Sequence, residues 1–372
     1  MKPKVMVTGG AGFVGSHLVD ALVREGHEVV IYDNLEPQVH RGRKPAYLNK
    51  DARFIKADIR DRASLIKALK GVEVVFHQAA AVGVGQSMYE IDRYVDVNAR
   101  GTGLLMDILV KEKNRVRKVI LASSMTCYGE GLHRCVRCRI DDPDPRPMKQ
   151  LKGHIWDKLC PVCARPMKPV PTPEDKPMRA TSLYALTKKE QEEIAILIGQ
   201  AYDLPVVALR YFNIYGPRKA LSNPYVGVVA IFAARLMNNR APLIFEDGLQ
   251  SREMVHVDDI VRANILAMKK SAANYQALNV GSGVSYRVAD IARILARYLE
   301  KDIEPVIVNK FRKGDVRHCF ADVNRARELL GFEAKVDFKN GLKDMMLLLG
   351  MQRPEDKITK AKSELEKMGL VI

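Results

Sequence analysis

The stretch VMVTGGAGFVGSHL, residues 5–18, decides the fold. Its apolar start predicts a β-strand, and apolar residues at helical spacing after the glycines predict a helix. Gly9, Gly12 and Gly15 fall between them with the spacing GxxGxxG. Small residues in such a turn let the backbone approach a pyrophosphate, while the helix start offers N–H groups and the positive end of its dipole. The stretch therefore predicts a dinucleotide-binding turn.

Further segments downstream read as strands separated by helical stretches. They are HEVVIYD (27–33), RFIKAD (53–58), VEVVFHQAA (72–80), RKVILASS (117–124) and PVVALRYFN (205–213). Strands and helices that alternate in this way predict an α/β protein. We expect a Rossmann-type, doubly wound parallel sheet with helices on both faces.

Asp33 ends the second predicted strand. A carboxylate there would accept hydrogen bonds from an adenosine ribose and repel a 2'-phosphate, which favours NAD over NADP. An aspartate that only stabilises a turn is the alternative.

The regular alternation ends near residue 215, which suggests how the chain divides. We predict an NAD-binding Rossmann domain over 1–215, a smaller C-terminal α/β substrate-binding lobe over 216–350, and a C-terminal helix within 351–372. In the last segment, apolar residues at helical spacing predict that the helix packs against the rest of the protein. They are Ile358, Ala361, Leu365 and Met368.

A second motif, SLYALTKKEQEE, places Tyr184 and Lys188 on one face of a predicted helix. An ammonium beside a phenol stabilises the phenolate, so we expect Lys188 to lower the Tyr184 pKa and make the phenol a base for a hydroxyl proton. Ser124, at the end of the fifth strand, could hold the substrate oxygen against this tyrosine.

Four cysteines form two CxxC pairs, Cys135 with Cys138 and Cys160 with Cys163, separated by 21 residues. This spacing predicts a tetrahedral structural Zn²⁺ site made of four thiolates. The pairs fall in an insert, residues 130–176, which we interpret as a zinc-binding ribbon inside the Rossmann domain. Cys127 is isolated and is expected to be a small buried residue.

The insert is strongly charged: residues 134–168 contain nine Lys or Arg and four Asp. Such a polar segment needs the metal for its stability. We expect its charges to form a solvated face, and His133 and His154 to be surface residues rather than ligands.

The whole chain has 372 residues and a formal net charge of +16. A basic surface attracts polyanions, so a nucleic-acid-binding or regulatory protein with an inactive Rossmann domain is one alternative. The basic residues are scattered, however, and the insert has a single Trp without interleaved aromatic residues, so we do not expect nucleic acid as the partner. No secretory signal and no apolar run of about 18 residues is present, which favours a soluble, cytoplasmic protein without membrane contact.

Several motifs together resemble the extended short-chain dehydrogenase/reductase family, specifically its nucleotide-sugar epimerases. They include TGGAGFVG, YALTK, RYFNIYGPR, EDGLQSREMVHVDD, NVGSG and GDVRHCFAD, and the resemblance covers residues 4–345 except the insert. It implies a homodimer, a nucleotide-diphosphate sugar as substrate, and Ser124, Tyr184 and Lys188 as catalytic residues. The implied NAD contacts are Gly9, Gly12, Phe13, Val14, Gly15, Asp33, Asn34, Asp58, Ile59, Ala79, Ala80, Asn98, Tyr184, Lys188 and Tyr211. The implied substrate contacts are Ser124, Asn213, Arg252, Arg312, Asp315 and Cys319.

The resemblance also limits which reactions of the family we expect this protein to catalyse. Similar dehydratases carry an Asp-Glu pair directly after the active-site hydroxyl residue, whereas Met125 and Thr126 stand here and cannot protonate a departing hydroxyl. The reaction that remains is 4-epimerisation through a transient 4-keto sugar, with a 4-ketoreductase as the alternative. We expect a UDP-hexose or a dTDP-6-deoxyhexose, and the cysteine insert resembles that of dTDP-L-rhamnose 4-epimerases. Cys319 matches a position that gates the sugar pocket in relatives, or it is a small core residue.

Overall fold

The computed structural model describes residues 2–142, 144–220, 223, 225, 227–349, 356 and 358–371. Its strands, in chain order, are β1 (Val5–Thr8), β2 (Val29–Asp33), β3 (Arg53–Lys56), β4 (Val74–His77), β5 (Lys118–Ser124), β6 (His133–Cys135), β7 (Ile140–Asp142), β8 (Lys168–Pro169), β9 (Val206–Tyr211), β10 (Asn213–Tyr215), β11 (Leu243–Ile244), β12 (Ser251–His256), β13 (Gln276–Val280), β14 (Ser285–Arg287) and β15 (Val306–Ile307).

The helices alternate with these strands through most of the chain. The α-helices are α1 (Phe13–Arg24), α2 (Pro37–His40), α3 (Arg62–Ala68), α4 (Val84–Ser87), α5 (Ile91–Tyr94), α6 (Gly101–Lys111), α7 (Met148–Lys152), α8 (Leu183–Ala201), α9 (Val228–Met237), α10 (Val257–Lys269), α11 (Val288–Tyr298), α12 (Asn324–Leu330), α13 (Phe338–Leu349) and α14 (Ile358–Lys367). A π-helix (Val95–Arg100) joins α5 to α6, and 3₁₀ turns span Met125–Tyr128 and Ser271–Ala273.

Seven strands of the described chain form one parallel sheet in the order β13-β9-β5-β4-β1-β2-β3. The strand order reverses direction at β1, which is the arrangement of a doubly wound sheet and confirms the predicted fold class. In such a sheet the crevice beyond the carboxyl ends of the strands is the place where ligands bind. The glycine turn follows β1 and Ser124 ends β5, so both lie at that edge.

Both faces of the sheet are covered, as the nearly continuous apolar strands require. Alternate residues of each strand point to opposite faces, so Val7 and Ile31 pack with α1 and α10 in one core. Met6 and Val30 pack on the other side, against α3, α6 and α8. Two cores on one sheet give the site a rigid support.

The large sheet takes in more of the chain than the segment before residue 215. β13 pairs with β9 along its whole length, and α10 packs against α1. The smaller lobe is built around α9, α11 and α13, with the short sheets β10-β12-β14 and β11-β15. The chain therefore enters the smaller lobe, returns to the large sheet, and leaves it again.

The insert forms a small antiparallel sheet in the order β7-β6-β8, together with α7. The C-terminal helix forms as predicted over α14, within a segment whose residues 351–355 lie outside the described residues. Ala361 and Leu365 are buried, but Met368 is 61% exposed because it follows the last turn of the helix. None of the helices in the described residues combines the length and the hydropathy that a membrane span requires.

The glycine turn generates a testable prediction about stability. A Cβ added at Gly15 would collide with the Gly9 carbonyl oxygen, a backbone atom that cannot move without opening the turn. Gly15→Ala should lower the free energy of unfolding by about 1–3 kcal/mol. Gly103→Ala is the matched control, because Gly103 also lies in a helix but has open space around it; it should stabilise the protein by about 0.5–1 kcal/mol. Urea unfolding of both variants checks this, and equal stabilities would contradict it.

Candidate active site

The turn between β1 and α1 is held tightly against its neighbours. Gly9 has φ +67°, and a Cβ there would lie 2.8 Å from the Ala79 backbone nitrogen, so glycine is required on two counts. Gly12 is the N-cap of α1, which places Phe13 and Val14 in its first turn. The N–H groups of a first helical turn have no partner within the helix and can bind phosphate oxygens.

Asp33 lies beside this turn and is buried. One carboxylate oxygen accepts a hydrogen bond from the Ala11 N–H at 3.0 Å, and the other accepts one from the Leu35 N–H at 2.8 Å. Burial raises the Asp33 pKa although both hydrogen bonds oppose this effect. Asp33 therefore fixes the turn as well as standing where an adenosine ribose is expected.

The next predicted cofactor residues are Asn34, which follows β2, and Asp58 and Ile59, which follow β3. The Asn34 amide donates to Asp58 at 2.9 Å, and the Arg60 side chain donates to both oxygens of the same carboxylate at 2.7 and 2.8 Å. The hydrogen bonds from Arg60 lower the Asp58 pKa to about 2. Ile59 is buried beneath Gly101, where a Cβ would lie 2.9 Å from its side chain.

The remaining predicted cofactor residues follow β4 in the chain, except Tyr211, which ends β9. The Ala79 N–H donates to the Thr8 hydroxyl at 3.2 Å, and Ala80 follows it. The Asn98 side chain is fully buried and holds both backbone groups of Ala81, accepting at 2.8 Å and donating at 3.1 Å. The Tyr211 hydroxyl accepts from the Asn264 amide at 2.7 Å. The side chains of Asn98 and Tyr211 thus form hydrogen bonds that fix the chain near this edge of the sheet.

Ser124 and Tyr184 come together at the end of β5. Ser182 caps α8 and accepts from the Ala185 N–H at 3.2 Å, which starts the helix so that Tyr184 lies in its first turn. The Ser124 oxygen accepts two hydrogen bonds from Thr126, one from its N–H at 3.2 Å and one from its hydroxyl at 2.9 Å. With both lone pairs used, the Ser124 hydroxyl is left to donate its own proton, and it lies close enough to Tyr184 to lower the pKa of the phenol.

The predicted effect of Lys188 on Tyr184 is not what the structure shows. Burial raises the Tyr184 pKa, and the nearby Ser124 hydroxyl opposes this rise. The Lys188 ammonium is itself buried and donates to the Ala122 carbonyl at 2.7 Å, and burial lowers its pKa to about 8. Desolvation dominates because both groups are buried, a consequence of packing that the spacing of the two residues could not reveal.

A cavity opens next to this pair, between the sheet edge and the smaller lobe. Among the described residues that line it, Asp315 is the only acid, whereas the basic residues are Arg235, Arg252, Arg312, Lys313 and Lys362. Such a cavity favours an anionic ligand.

Four of the predicted substrate residues line this cavity. Asn213 donates to the Glu253 carbonyl at 3.0 Å, Arg252 donates to the Ser251 carbonyl at 2.8 Å, and the Arg312 side chain donates to Asp315 at 2.8 Å. The planar guanidinium groups of Arg252 and Arg312 suit a diphosphate.

Cys319 does not lie with them. Its side chain is 1% exposed, and its Sγ is 3.9 Å from the Thr172 hydroxyl. It is absent from the described residues that line the cavity. The structure therefore favours the other interpretation of Cys319, a small core residue, because Gly131 packs against its Cα and Thr172 lies beside its sulfur.

The sequence analysis missed other residues of the cavity. Gln250 lines it with a buried amide oxygen that has no hydrogen-bond partner among the described residues, although its position in the EDGLQSREMVHVDD motif could have drawn attention to it. Ala361 and Leu365 of α14 also line it, and the Leu365 side chain faces Gly85. No local pattern could have placed a C-terminal helix there.

The four cysteines of the insert form one cluster, with all their sulfur atoms within 4.8 Å of one another. The two CxxC pairs repeat the same turn. The Arg139 N–H donates to the Cys135 carbonyl at 2.8 Å, the Ala164 N–H donates to the Cys160 carbonyl at 2.9 Å, and both donors have a left-handed backbone conformation.

The surroundings of this cluster differ from the expectation of a solvated insert. His133 is 1% exposed rather than a surface residue, and Arg146 and Lys158 are buried. His154, in contrast, is exposed, as expected. Arg146 and Lys158 are buried because carboxylates of the insert and of the smaller lobe pair with them.

Comparisons with known proteins identify the family of this chain. The NAD dependent epimerase/dehydratase family matches residues 5–159 and 162–281. The chain is 32% identical over 352 residues to dTDP-L-rhamnose 4-epimerase of Burkholderia thailandensis, covering 94% of this chain and 95% of that protein.

Two solved structures show the same fold. One is UDP-glucose 4-epimerase from Thermotoga maritima with UDP-glucose, with 33% identity, a TM-score of 0.76, and coverage of 94% of this chain and 99% of that one. The other is UDP-glucuronic acid 4-epimerase from Bacillus cereus with UDP-glucuronic acid and NAD, with 25% identity, a TM-score of 0.77 and the same coverage. These relatives confirm the predicted class, nucleotide-sugar 4-epimerases. The chain belongs to the NAD dependent epimerase/dehydratase family.

Proposed function

We propose that this protein is an NAD-dependent nucleotide-sugar 4-epimerase. The observation that carries the proposal is the adjacent pair Ser124 and Tyr184, beside a basic cavity that Met125, Thr126 and Ser182 help to line. A phenol and a serine hydroxyl at one point suit the removal and return of a hydroxyl proton.

Tyr184 acts as the base that takes the proton of the sugar 4-hydroxyl. Ser124 donates its hydrogen bond to the phenol oxygen or to the reacting sugar oxygen, because Thr126 occupies both of its lone pairs. Burial favours the neutral phenol, and the nearby Ser124 hydroxyl partly restores its acidity. NAD, when bound at the glycine turn, would supply the acceptor and donor of the C4 hydride.

The residues of the glycine turn fit such a cofactor. The start of α1 offers N–H groups at Phe13 and Val14, and Gly12 leaves no side chain between them and a pyrophosphate. We assign the adenosine ribose to Asp33, and the sugar-nucleotide diphosphate to Arg252 and Arg312. These assignments rest on position and on charge complementarity.

The cavity also supports epimerisation over elimination. Met125 and Thr126 follow Ser124, and neither can donate a proton to a departing hydroxyl. Asp315, the acid among the described lining residues, is paired with Arg312 rather than with the catalytic pair. A hydride taken from C4 is therefore expected to return to C4.

We also propose that the cysteine cluster binds one structural Zn²⁺. Tetrahedral coordination at about 2.3 Å places sulfur atoms about 3.8 Å apart, and Cys135 Sγ lies 3.6 Å from Cys163 Sγ. The Cys138 N–H donates to Cys135 Sγ at 3.4 Å, which stabilises a thiolate ligand. All four positions are taken by protein, so the metal has no open site for water and no part in the chemistry. A homodimer stays a prediction.

The first test of this function is the product. Incubation with NAD and, in turn, UDP-glucose, UDP-N-acetylglucosamine and dTDP-L-rhamnose should convert one of them into a mixture with its C4 epimer, without net reduction of the cofactor. NMR of the sugar and absorbance of the cofactor measure both. Stoichiometric consumption of reduced cofactor would instead identify a ketoreductase.

The second test is the base. Tyr184→Phe removes the hydroxyl but keeps the ring, which packs edge-on against Tyr94 at 6.4 Å between centroids. Turnover should fall roughly 10²–10⁴-fold without loss of thermal stability. Tyr94→Phe, a neighbouring buried tyrosine that loses the same atom, should retain turnover. Equal activity of the two variants would exclude Tyr184 as the base.

The third test is the metal. Elemental analysis should find one zinc per chain, and Cys160→Ser/Cys163→Ser should lose it. Because the insert has few apolar residues of its own, hydrogen exchange should rise first within 133–166, while the sheet stays protected. Val162→Ser is the control, since Val162 is 72% exposed between the same two cysteines. Parent protein without zinc, or global unfolding of the double variant, would contradict the assignment.

A further inference from the structure

The cysteine insert meets the smaller lobe through a buried arginine. The Arg146 side chain is 2% exposed, and its Nε donates to Glu130 at 2.7 Å. One terminal nitrogen donates to Glu246 of the lobe at 2.9 Å, and the other donates to the Trp156 carbonyl of the insert at 2.9 Å. Every nitrogen of the guanidinium is engaged, so Arg146 is held in one orientation.

A second buried arginine shares the same carboxylates. The Arg317 side chain, 1% exposed, donates to Glu246 at 2.9 Å, to Asp247 at 2.9 Å and to Asp157 of the insert at 2.8 Å. Its backbone N–H donates to Glu130 at 2.9 Å. Glu130 and Glu246 therefore each accept hydrogen bonds from both Arg146 and Arg317, so the positions of the two arginines are coupled.

This cluster reaches the substrate cavity through the backbone carbonyl of Arg317. The Arg317 carbonyl accepts hydrogen bonds from the Arg252 side chain at 3.0 Å and from the Ser251 N–H at 3.0 Å. Arg252 lines the cavity. Burial lowers the Arg252 pKa, and the charges of Asp315, Glu246 and Glu130 oppose this effect.

An apolar contact joins the insert to the second arginine of the cavity. The Trp156 ring packs edge-on against Phe311, with 6.3 Å between centroids, and both are buried. Phe311 directly precedes Arg312, whose guanidinium stacks over Phe245 at 4.6 Å. The insert thus contacts the support of both diphosphate-binding arginines.

Stability alone is a poor explanation for these buried ions. Transferring charged groups from water to the interior costs about as much free energy as their pairing regains. Apolar side chains of the same volume often give the folded protein equal stability. What a shared set of charge-assisted hydrogen bonds does provide is orientation, because each bond has a preferred length and angle. The cluster therefore suits the task of holding Arg252 in place.

We propose, on the basis of the proposed function, that Arg146 is a positioning residue that holds Arg317, and through its carbonyl Arg252, against the substrate diphosphate. The metal-ordered insert acts with Arg146, because it supplies Trp156 and Asp157, close in the chain to Cys160. The insert is thereby a part of substrate binding without contributing a group to the reaction.

The test compares Arg146→Met with Arg134→Met in the zinc-bound full-length protein. Arg134 is also an insert arginine that pairs with a carboxylate, Asp141, but its side chain is 57% exposed and bonds within the insert. For Arg146→Met, the KM of the nucleotide sugar and the calorimetric Kd of UDP or dTDP should rise about 10- to 100-fold. Its kcat and its Kd for NAD should stay unchanged, and Arg134→Met should match the parent in all four.

Two further readouts separate positioning from general damage. The loss of affinity should be larger for UDP than for UMP, since the arginines serve the diphosphate. Removing zinc from the parent by chelation should raise the Kd of UDP as Arg146→Met does. In the Arg146→Met variant chelation should raise the Kd little further, because both changes act on Arg252 through Arg317. Equal losses for UDP and UMP, additive effects, or a fall in kcat alone would overturn the inference.

A second variant keeps the proposal testable where Arg146→Met does not fold. Trp156→Leu leaves the ion cluster intact and removes the aromatic support of Phe311, so the Kd of UDP should rise while NAD binding is retained. A parent-like Kd in that variant would overturn the role of the insert. A parent that binds neither UDP nor dTDP would overturn the proposed function itself, whereas a parent that binds and an Arg146→Met variant that binds equally would overturn only the inference.

Discussion

The close approach of Ser124 and Tyr184 is the constraint on which the rest of the proposed site depends. The two residues come from different elements, the end of β5 and the first turn of α8, and the whole insert lies between them in the chain. β5 is a central strand of the parallel sheet, so its end is fixed by pairing on both sides. α8 packs on β5, and its start is fixed by the Ser182 cap. The catalytic geometry is therefore a property of the sheet rather than of a loop.

The charged side chains of the ligand cavity are also fixed in position by the fold. A net positive cavity draws a diphosphate, but a long arginine side chain loses binding energy when it must be ordered at the moment of binding. Here Arg252 is already bonded to two carbonyls, and Arg312 is paired with Asp315 and stacked on Phe245. The ordering is completed during folding. The buried ions behind Arg252 extend this preorganisation into the cysteine insert.

Much of this arrangement follows from local sequence signals. The glycine spacing, the apolar strands and the CxxC pairs each depend on neighbours in the chain, and the structure has the predicted sheet and brings the four cysteines into one cluster. The features that the sequence did not reveal all depend on distant contacts. β13 joins the sheet from beyond residue 215, α14 lines the cavity, and the Tyr184 pKa is raised by burial. A charged segment such as 134–168 is predicted to be solvated unless its distant partners, here Glu246 for Arg146 and Arg317 for Asp157, are known to be near.

The central claim is that the C4 hydrogen leaves as a hydride and returns to the same carbon of the same sugar. The most direct measurement is the fate of a deuterium placed at C4 of the nucleotide sugar that the protein epimerises, followed by NMR in ordinary water. The account predicts that the deuterium is retained at C4 in both epimers through many turnovers, and that unlabelled sugar in deuterated water gains none there. Replacement of the C4 label by solvent hydrogen would show proton exchange at carbon instead, and would contradict the proposed roles of Tyr184 and NAD.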